Sequence, residues 1–379
     1  MIILVTLLGL TVAQWNLIRS GSGSLYNTEP NAMPLGRRNP STWVDGNNLY
    51  IFGGRADTRR LNDLWKYETA SNRWFWQPDT PLDPRSGSSH WFLNGVLWIY
   101  GGRNDTSVNH ALGDLWSYDL TNRKWTRHNH LTNPGIRYGS YSWTHNSQLY
   151  LFGGKSDSNT ILDDAWRFDT RSLEWQLVNF TGATLPPRDD GVAVKIGNSL
   201  YFFDGNKFFT VDTQTLIVAE ITSRSTSNPV KREDYVMWSN GSTIYLFGGR
   251  LNAEIYNDFW QFDTQSSIWT MLTDNKPSGR WGSGFSRSQT GELYLFGGAL
   301  SDSTSLANDV WMFGPNRMSV TPPSCSNNDS LYPTTIAILI LTILITIMVP
   351  SGYFLLWRSS KRTTIESKPS GTSNDFATV

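Results

Sequence analysis

The sequence predicts an all-β array of six repeated modules followed by one apolar helix, and three observations carry that expectation. A run of apolar and aromatic residues entering a Gly-Gly pair recurs at residues 50–55 (YIFGGR), 98–103 (WIYGGR), 150–155 (YLFGGK), 245–250 (YLFGGR) and 294–299 (YLFGGA), an interval of roughly fifty residues that marks a repeat array. Each phrase is followed by an acidic residue two before a Trp: Asp63/Trp65, Asp114/Trp116, Asp164/Trp166, Asp258/Trp260 and Asp309/Trp311. A second Trp comes nine residues later in four units: Trp74, Trp125, Trp175 and Trp269.

Alternating apolar positions around these Trp residues read as strands, and the Gly/Asn/Asp-rich intervals between them as turns. The Gly pair fits a strand end where positive φ or close backbone approach leaves no room for a Cβ. A weaker copy, residues 201–205 (YFFDG), fills the gap between the third and fifth phrases. There Val211-Asp212-Thr213 matches Phe168-Asp169-Thr170 and Phe262-Asp263-Thr264, which sets Val218 opposite Trp175. The loop carrying the acidic element is absent from that unit, and Lys207, Phe208 and Phe209 occupy the shortened segment, either exposed in a notch or in the core.

Over residues 14–313 the Gly-Gly pair, the spaced aromatics and the period resemble kelch repeats, whose family fold is a β-propeller of four-stranded blades. The resemblance implies that the Gly pair ends the second strand, the first spaced Trp lies in the third and the last Trp in the fourth. The sixth unit ends after Trp311-Met312-Phe313 without a fourth-strand Trp, while Gln14-Trp15-Asn16-Leu17-Ile18 resembles a fourth strand such as residues 174–178. A six-bladed kelch propeller over residues 14–318, closed by its N-terminal strand, is therefore expected. Single blades cannot bury their faces, and closure leaves only short, protected edges.

The flanking segments predict a type I, single-pass membrane protein. Residues 1–13 are apolar with a small-residue end and resemble a signal peptide, although no basic residue precedes the apolar run. Residues 319–333 form a stalk. Residues 334–357 are long enough, about 36 Å as a helix, to cross the hydrocarbon of a plasma or internal membrane. Arg358, Lys361 and Arg362 follow and place the polar tail, 358–379, in the cytoplasm. The propeller then lies outside the cell or in a lumen. Asn104, Asn179, Asn240 and Asn328 stand in N-glycosylation sequons. The lone Cys325, in the stalk, excludes an intramolecular disulfide and leaves either a free thiol or a Cys325–Cys325 homodimer.

Function is read from a second regularity. Sixteen residues before the first position of each Gly pair stand Arg37, Arg85, Arg137, Arg188 and Arg232, and Arg280 is displaced by one. Kelch domains that the chain resembles use arginines at this kind of position to hold acidic peptides, which implies a ring of guanidinium groups around the mouth. The opposing expectation is architectural: each Arg fixes blade packing, and Arg55, Arg103 and Arg250 bridge to Asp63, Asp114 and Asp258. Recognition of a protein or glycan at the membrane-distal mouth is the expected function. A carbohydrate-processing epimerase or lyase is the alternative, with Glu233, Asp189, Asp190 and His90 as acid–base candidates. A copper oxidase of kelch type would need a Tyr–Cys crosslink that a stalk cysteine cannot supply. His90 and His110 alone make no metal site, and no cofactor is expected. With 32 basic and 32 acidic residues, the chain carries no nucleic-acid footprint.

Overall fold

The computed structural model describes residues 13–315 apart from 22–31, 78–79, 106–109, 130–131, 189–190, 206, 274 and 301–304. Six antiparallel sheets form the blades of a propeller. Blade 1 is Ser41–Asp45, Asn48–Phe52, Leu64–Glu68 and Arg73–Gln77, paired in that order. Blades 2, 3 and 5 repeat it from Ser89–Leu93, Tyr141–His145 and Val236–Asn240. Blade 4, from Ala193–Ile196, adds a fifth, parallel strand at its outer edge, Thr181–Gly182 against Ile217–Thr222. Blade 6 combines Gly284–Arg287, Leu293–Phe296 and Val310–Pro315 with Ala13–Arg19. The predicted closure is therefore observed, with Trp15 opposite Phe313 and Ala13 opposite Pro315.

The spaced aromatics explain why the blades stack. Each fourth-strand Trp inserts into the preceding blade against the aromatic that enters its Gly pair. Ring centroids lie 5.5 Å apart for Trp125–Phe52, 5.1 Å for Trp175–Tyr100 and 5.6 Å for Trp269–Phe203. Trp74–Phe296, at 5.3 Å, and Trp15–Phe247, at 5.4 Å, carry the pattern across the closure. Among the described residues each blade–blade interface holds one apolar cluster. Blade 4 carries Val218 where the Trp would stand, and Phe180 fills the place by packing 5.8 Å from Phe152. Phe208 and Phe209 are 0 % and 6 % exposed, so of the two expectations for that segment the core is the observed one.

The Gly pair is required twice over. Gly53 and Gly54 have φ of 61° and 95°, and a Cβ on Gly53 would lie 2.7 Å from the Arg85 carbonyl oxygen of the next blade. The Gly54 N–H donates to that same carbonyl at 2.8 Å, and Gly298 N–H to the Arg37 carbonyl at 2.9 Å across the closure. No side chain fits between partners that close.

Residues 316–379, with the stalk, Cys325, Asn328 and the apolar segment 334–357, lie outside the described residues, as do residues 1–12. Among the described residues no helix is long and apolar enough to cross a membrane.

Candidate functional site

The six spaced arginines are not arranged around an open mouth. Arg37, Arg85, Arg137, Arg232 and Arg280 are 0–3 % exposed, and each grips one carboxylate with both terminal nitrogens. Arg85 meets Asp114 at 2.7 and 2.9 Å, and Arg137 meets Asp164 at 2.7 and 2.8 Å. Arg37–Asp63, Arg232–Asp258 and Arg280–Asp309 repeat the geometry. The same Nη1 also donates to the first Gly carbonyl of its own unit, as from Arg85 to Gly101 at 3.1 Å. The Trp two residues after each Asp donates its indole N–H to the second carboxylate oxygen, at 2.6–2.8 Å in all five.

Arg, Gly-Gly and Asp-x-Trp are thus one hydrogen-bonded unit, and the expected bridges from Arg55, Arg103 and Arg250 to these aspartates are not formed. The reason is steric economy: the bidentate fork of the buried Arg already fills both oxygens. Burial alone would raise the Asp63 carboxyl, but the Arg37 charge and the hydrogen bonds from Arg37 and Trp65 hold it below the usual carboxylate range. Asp114, Asp164 and Asp258 are depressed likewise, against the same opposing burial.

The residues that do face the mouth are those immediately after these arginines and immediately after the Gly pairs. Short backbone bridges join them within each unit: Arg38 with Arg55, Ser86 with Arg103, Tyr138 with Lys155 and Glu233 with Arg250. Arg38, Arg55, Arg60, Arg103 and Arg250 surround a cavity of about 140 Å³ that opens on one end of the channel. Strand direction puts this end opposite Pro315, because third strands start beside the Gly-pair loops and run away from them.

Aromatic rings hold the cations in place. The Arg250 and Arg38 guanidinium carbons lie 3.9 and 4.3 Å from the Trp281 ring centroid, and that of Arg103 lies 5.4 Å from Tyr138. Two carboxylates are in reach. Asp234, buried, accepts from Arg250 Nε at 3.0 Å and from Asn39 Nδ2 at 3.0 Å. Asp105 pairs with Arg60, which also clasps blade 2 through Ser86 Oγ and the Asn104 carbonyl. Burial raises the Asp234 carboxyl against the pull of Arg250 and Asn39. Burial and then the neighbouring Arg55 charge lower Arg38.

Beyond the mouth the channel widens to about 270 Å³, lined by the first strands and rich in Gly and hydroxyl groups. His90 stands on its wall, where its Nε2 accepts from the Thr42 N–H at 3.4 Å and its Nδ1 lies 3.4 Å from the Ser88 carbonyl. His110 is exposed on the blade 2 loop, its carbonyl accepting from the Asn104 N–H. Of the acid–base candidates, Glu233 is half-buried beside the mouth, and Asp189 and Asp190 lie outside the described residues. Among the described residues no three His, Cys, Asp or Glu side chains converge on a metal-sized site. Asn179 and Asn240 are exposed, whereas Asn104 is only 6 % exposed.

Of the mouth arginines, Arg55, Arg103 and Arg250 enter the sequence reading only as partners for the loop aspartates, and Arg38 and Arg60 do not enter it, although for Arg38 a signal existed. Arg38 follows Arg37 directly, and in strand-like backbone neighbouring side chains point to opposite sides.

Comparison with known proteins agrees with this architecture. The sequence matches the family described as the KLHDC2/KLHL20/DRC7 Kelch-repeats domain over residues 19–205, 129–284 and 204–335. It is 27 % identical over 280 residues to Kelch domain-containing protein 3 of Rattus norvegicus, covering 64 % of this chain and 72 % of that protein. Host cell factor 2 of Homo sapiens is 23 % identical over 284 residues, 58 % of this chain and 35 % of the relative. The solved structure of YjhT superposes with a TM-score of 0.62 at 14 % identity, over 73 % of this chain and 95 % of that one. That last likeness is one of fold.

Proposed function

This chain belongs to the kelch-repeat family, and from that premise we propose that it is a protein-binding propeller that holds an acidic segment of its ligand at the basic mouth. One observation carries the reading: Arg38, Arg55 and Arg103 face an open cavity and have no carboxylate partner among the described residues. Guanidinium groups oriented by aromatic rings are suited to carboxylate-rich ligands, because little freedom is lost when the hydrogen bonds form. The five buried arginines, and Arg188 with its partner Asp204, keep an architectural role.

In the same reading residues 334–357 anchor the protein in a membrane with the propeller on the outer or lumenal side. The uninterrupted apolar run and the basic residues after it support that placement.

Binding of displayed acidic and neutral peptides to the full-length protein, from low to physiological salt, tests the proposal. Acid-selective binding that weakens with salt and disappears in Arg55→Gln/Arg103→Gln is the expected result. Selection of neutral peptides, indifferent to salt and to both substitutions, would remove it.

A further inference from the structure

We infer that the mouth cavity is shaped and charged to prefer a phosphoryl group carried on a protein ligand over a single carboxylate; this rests on the basic-mouth reading above. Charge balance is the first argument. Five guanidinium groups border the cavity, and among the described residues only Arg60 and Arg250 are paired with a carboxylate, Asp105 and Asp234. The excess charge of Arg38, Arg55 and Arg103 is more than one carboxylate neutralises. A phosphate monoester carries about −1.5 to −2 at neutral pH and presents three acceptor oxygens.

Size is the second argument. A cavity of about 140 Å³ has room for one compact oxyanion with a little water, where each water takes about 30 Å³ of liquid. A single doubly charged group of that size can therefore bring the counter-charge that one carboxylate lacks.

Preorganisation is the third. The backbones of Arg38 and Arg55 are locked by reciprocal hydrogen bonds of 3.0 and 2.8 Å. Stacking on Trp281 fixes the Arg38 guanidinium. The Arg103 guanidinium is held against the Tyr138 ring. Burial and mutual repulsion lower both Arg38 and Arg60, and a doubly charged occupant would relieve that repulsion most.

The test uses full-length protein and degenerate peptide libraries fixed at one position as phosphoserine, serine, glutamate or sulfotyrosine. The phosphoserine library is expected to bind about tenfold tighter than the glutamate and sulfotyrosine ones, the difference of roughly one further charge-assisted hydrogen bond. Inorganic phosphate should displace it better than inorganic sulfate. The preference should vanish in Arg55→Gln/Arg103→Gln with an unchanged melting temperature, and persist in Arg167→Gln, on the third strand of blade 3 and outside the mouth. If the double variant unfolds, Arg55→Gln alone gives the reading. Equal binding of glutamate or sulfotyrosine peptides would overturn the phosphoryl inference while leaving the acidic-ligand reading standing. Binding that survives the mouth substitutions, or no binding by any library, would overturn both.

Discussion

Asp204 accepts a hydrogen bond from Arg188 at 2.6 Å, from a position that is glycine in the other five blades. Blade 4 has no loop aspartate, so the departure from the phrase (YFFDG for YLFGG) supplies the carboxylate that the missing loop would have brought. Arg188 then keeps a partner, and its Nη2 reaches the Arg232 carbonyl at 3.2 Å. What reads in the sequence as decay is a rerouted ion pair.

Restoring the phrase should therefore harm the protein. Asp204→Gly leaves the Arg188 guanidinium, whose side chain is 11 % exposed, without its counter-charge, a loss of about 3–5 kcal/mol for an uncompensated buried charge. Denaturant unfolding checks it, and a gain in stability would show that the pair carries no weight.

Ring closure should depend on one side chain of the strand Ala13–Arg19. Trp15 is 2 % exposed and packs on Trp238, Phe247, Phe259 and Phe313 at 5.4–5.8 Å. Trp15→Ala should cost about 3–5 kcal/mol. Leu17→Ala, at a position 50 % exposed, should change stability by no more than about 0.5 kcal/mol. Thermal melts of the two variants side by side measure the contrast.

Acid should weaken the blades together. Asp63, Asp114, Asp164 and Asp258 titrate lower in the fold than in the unfolded chain. Their stabilisation is complete above the usual carboxylate pKa of about 4 and is lost as the pH falls through the depressed values. The melting temperature should be least sensitive to these groups near neutrality and fall below about pH 4. Asp114→Asn should be less stable near neutrality but show a shallower acid loss. An unchanged slope in that variant would contradict the assignment.

Glycan occupancy should follow exposure. In a secretory-pathway host, peptide mapping should find glycans on Asn179 and Asn240, both exposed, and none on Asn104, whose backbone is clasped by Arg60 and His110. An occupied Asn104 would mean that the blade 2 loop opens before modification.

Much of the fold was legible because each letter of the repeat answers a steric or hydrogen-bonding demand. Gly53 admits the Arg85 carbonyl, and Trp74 seals the interface to blade 6 against Phe296. The site was less legible for the same reason. Regular spacing drew attention to Arg37 and its equivalents, yet regularity here marks what the architecture repeats, and the mouth is built from positions that vary. Arg38, Ser86, Tyr138, Glu233 and Trp281 occupy one place in five units, and no single-residue pattern joins them. Nor could spacing show that Phe180, in an inter-blade connection, would stand in for an absent Trp.

Comparing Arg85→Gln with Arg103→Gln in the full-length protein separates the two roles proposed for the arginines, blade architecture for the buried set and ligand binding for the mouth set. Acidic-peptide affinity and melting temperature are measured on the same samples. Arg85→Gln is expected to lower the melting temperature, by a destabilisation of about 3–5 kcal/mol, while the folded fraction binds as before. Arg103→Gln should keep its melting temperature and lose about tenfold in affinity. The reverse pattern, with binding lost at folded Arg85→Gln and kept at Arg103→Gln, would contradict the claim and return recognition to the buried ring.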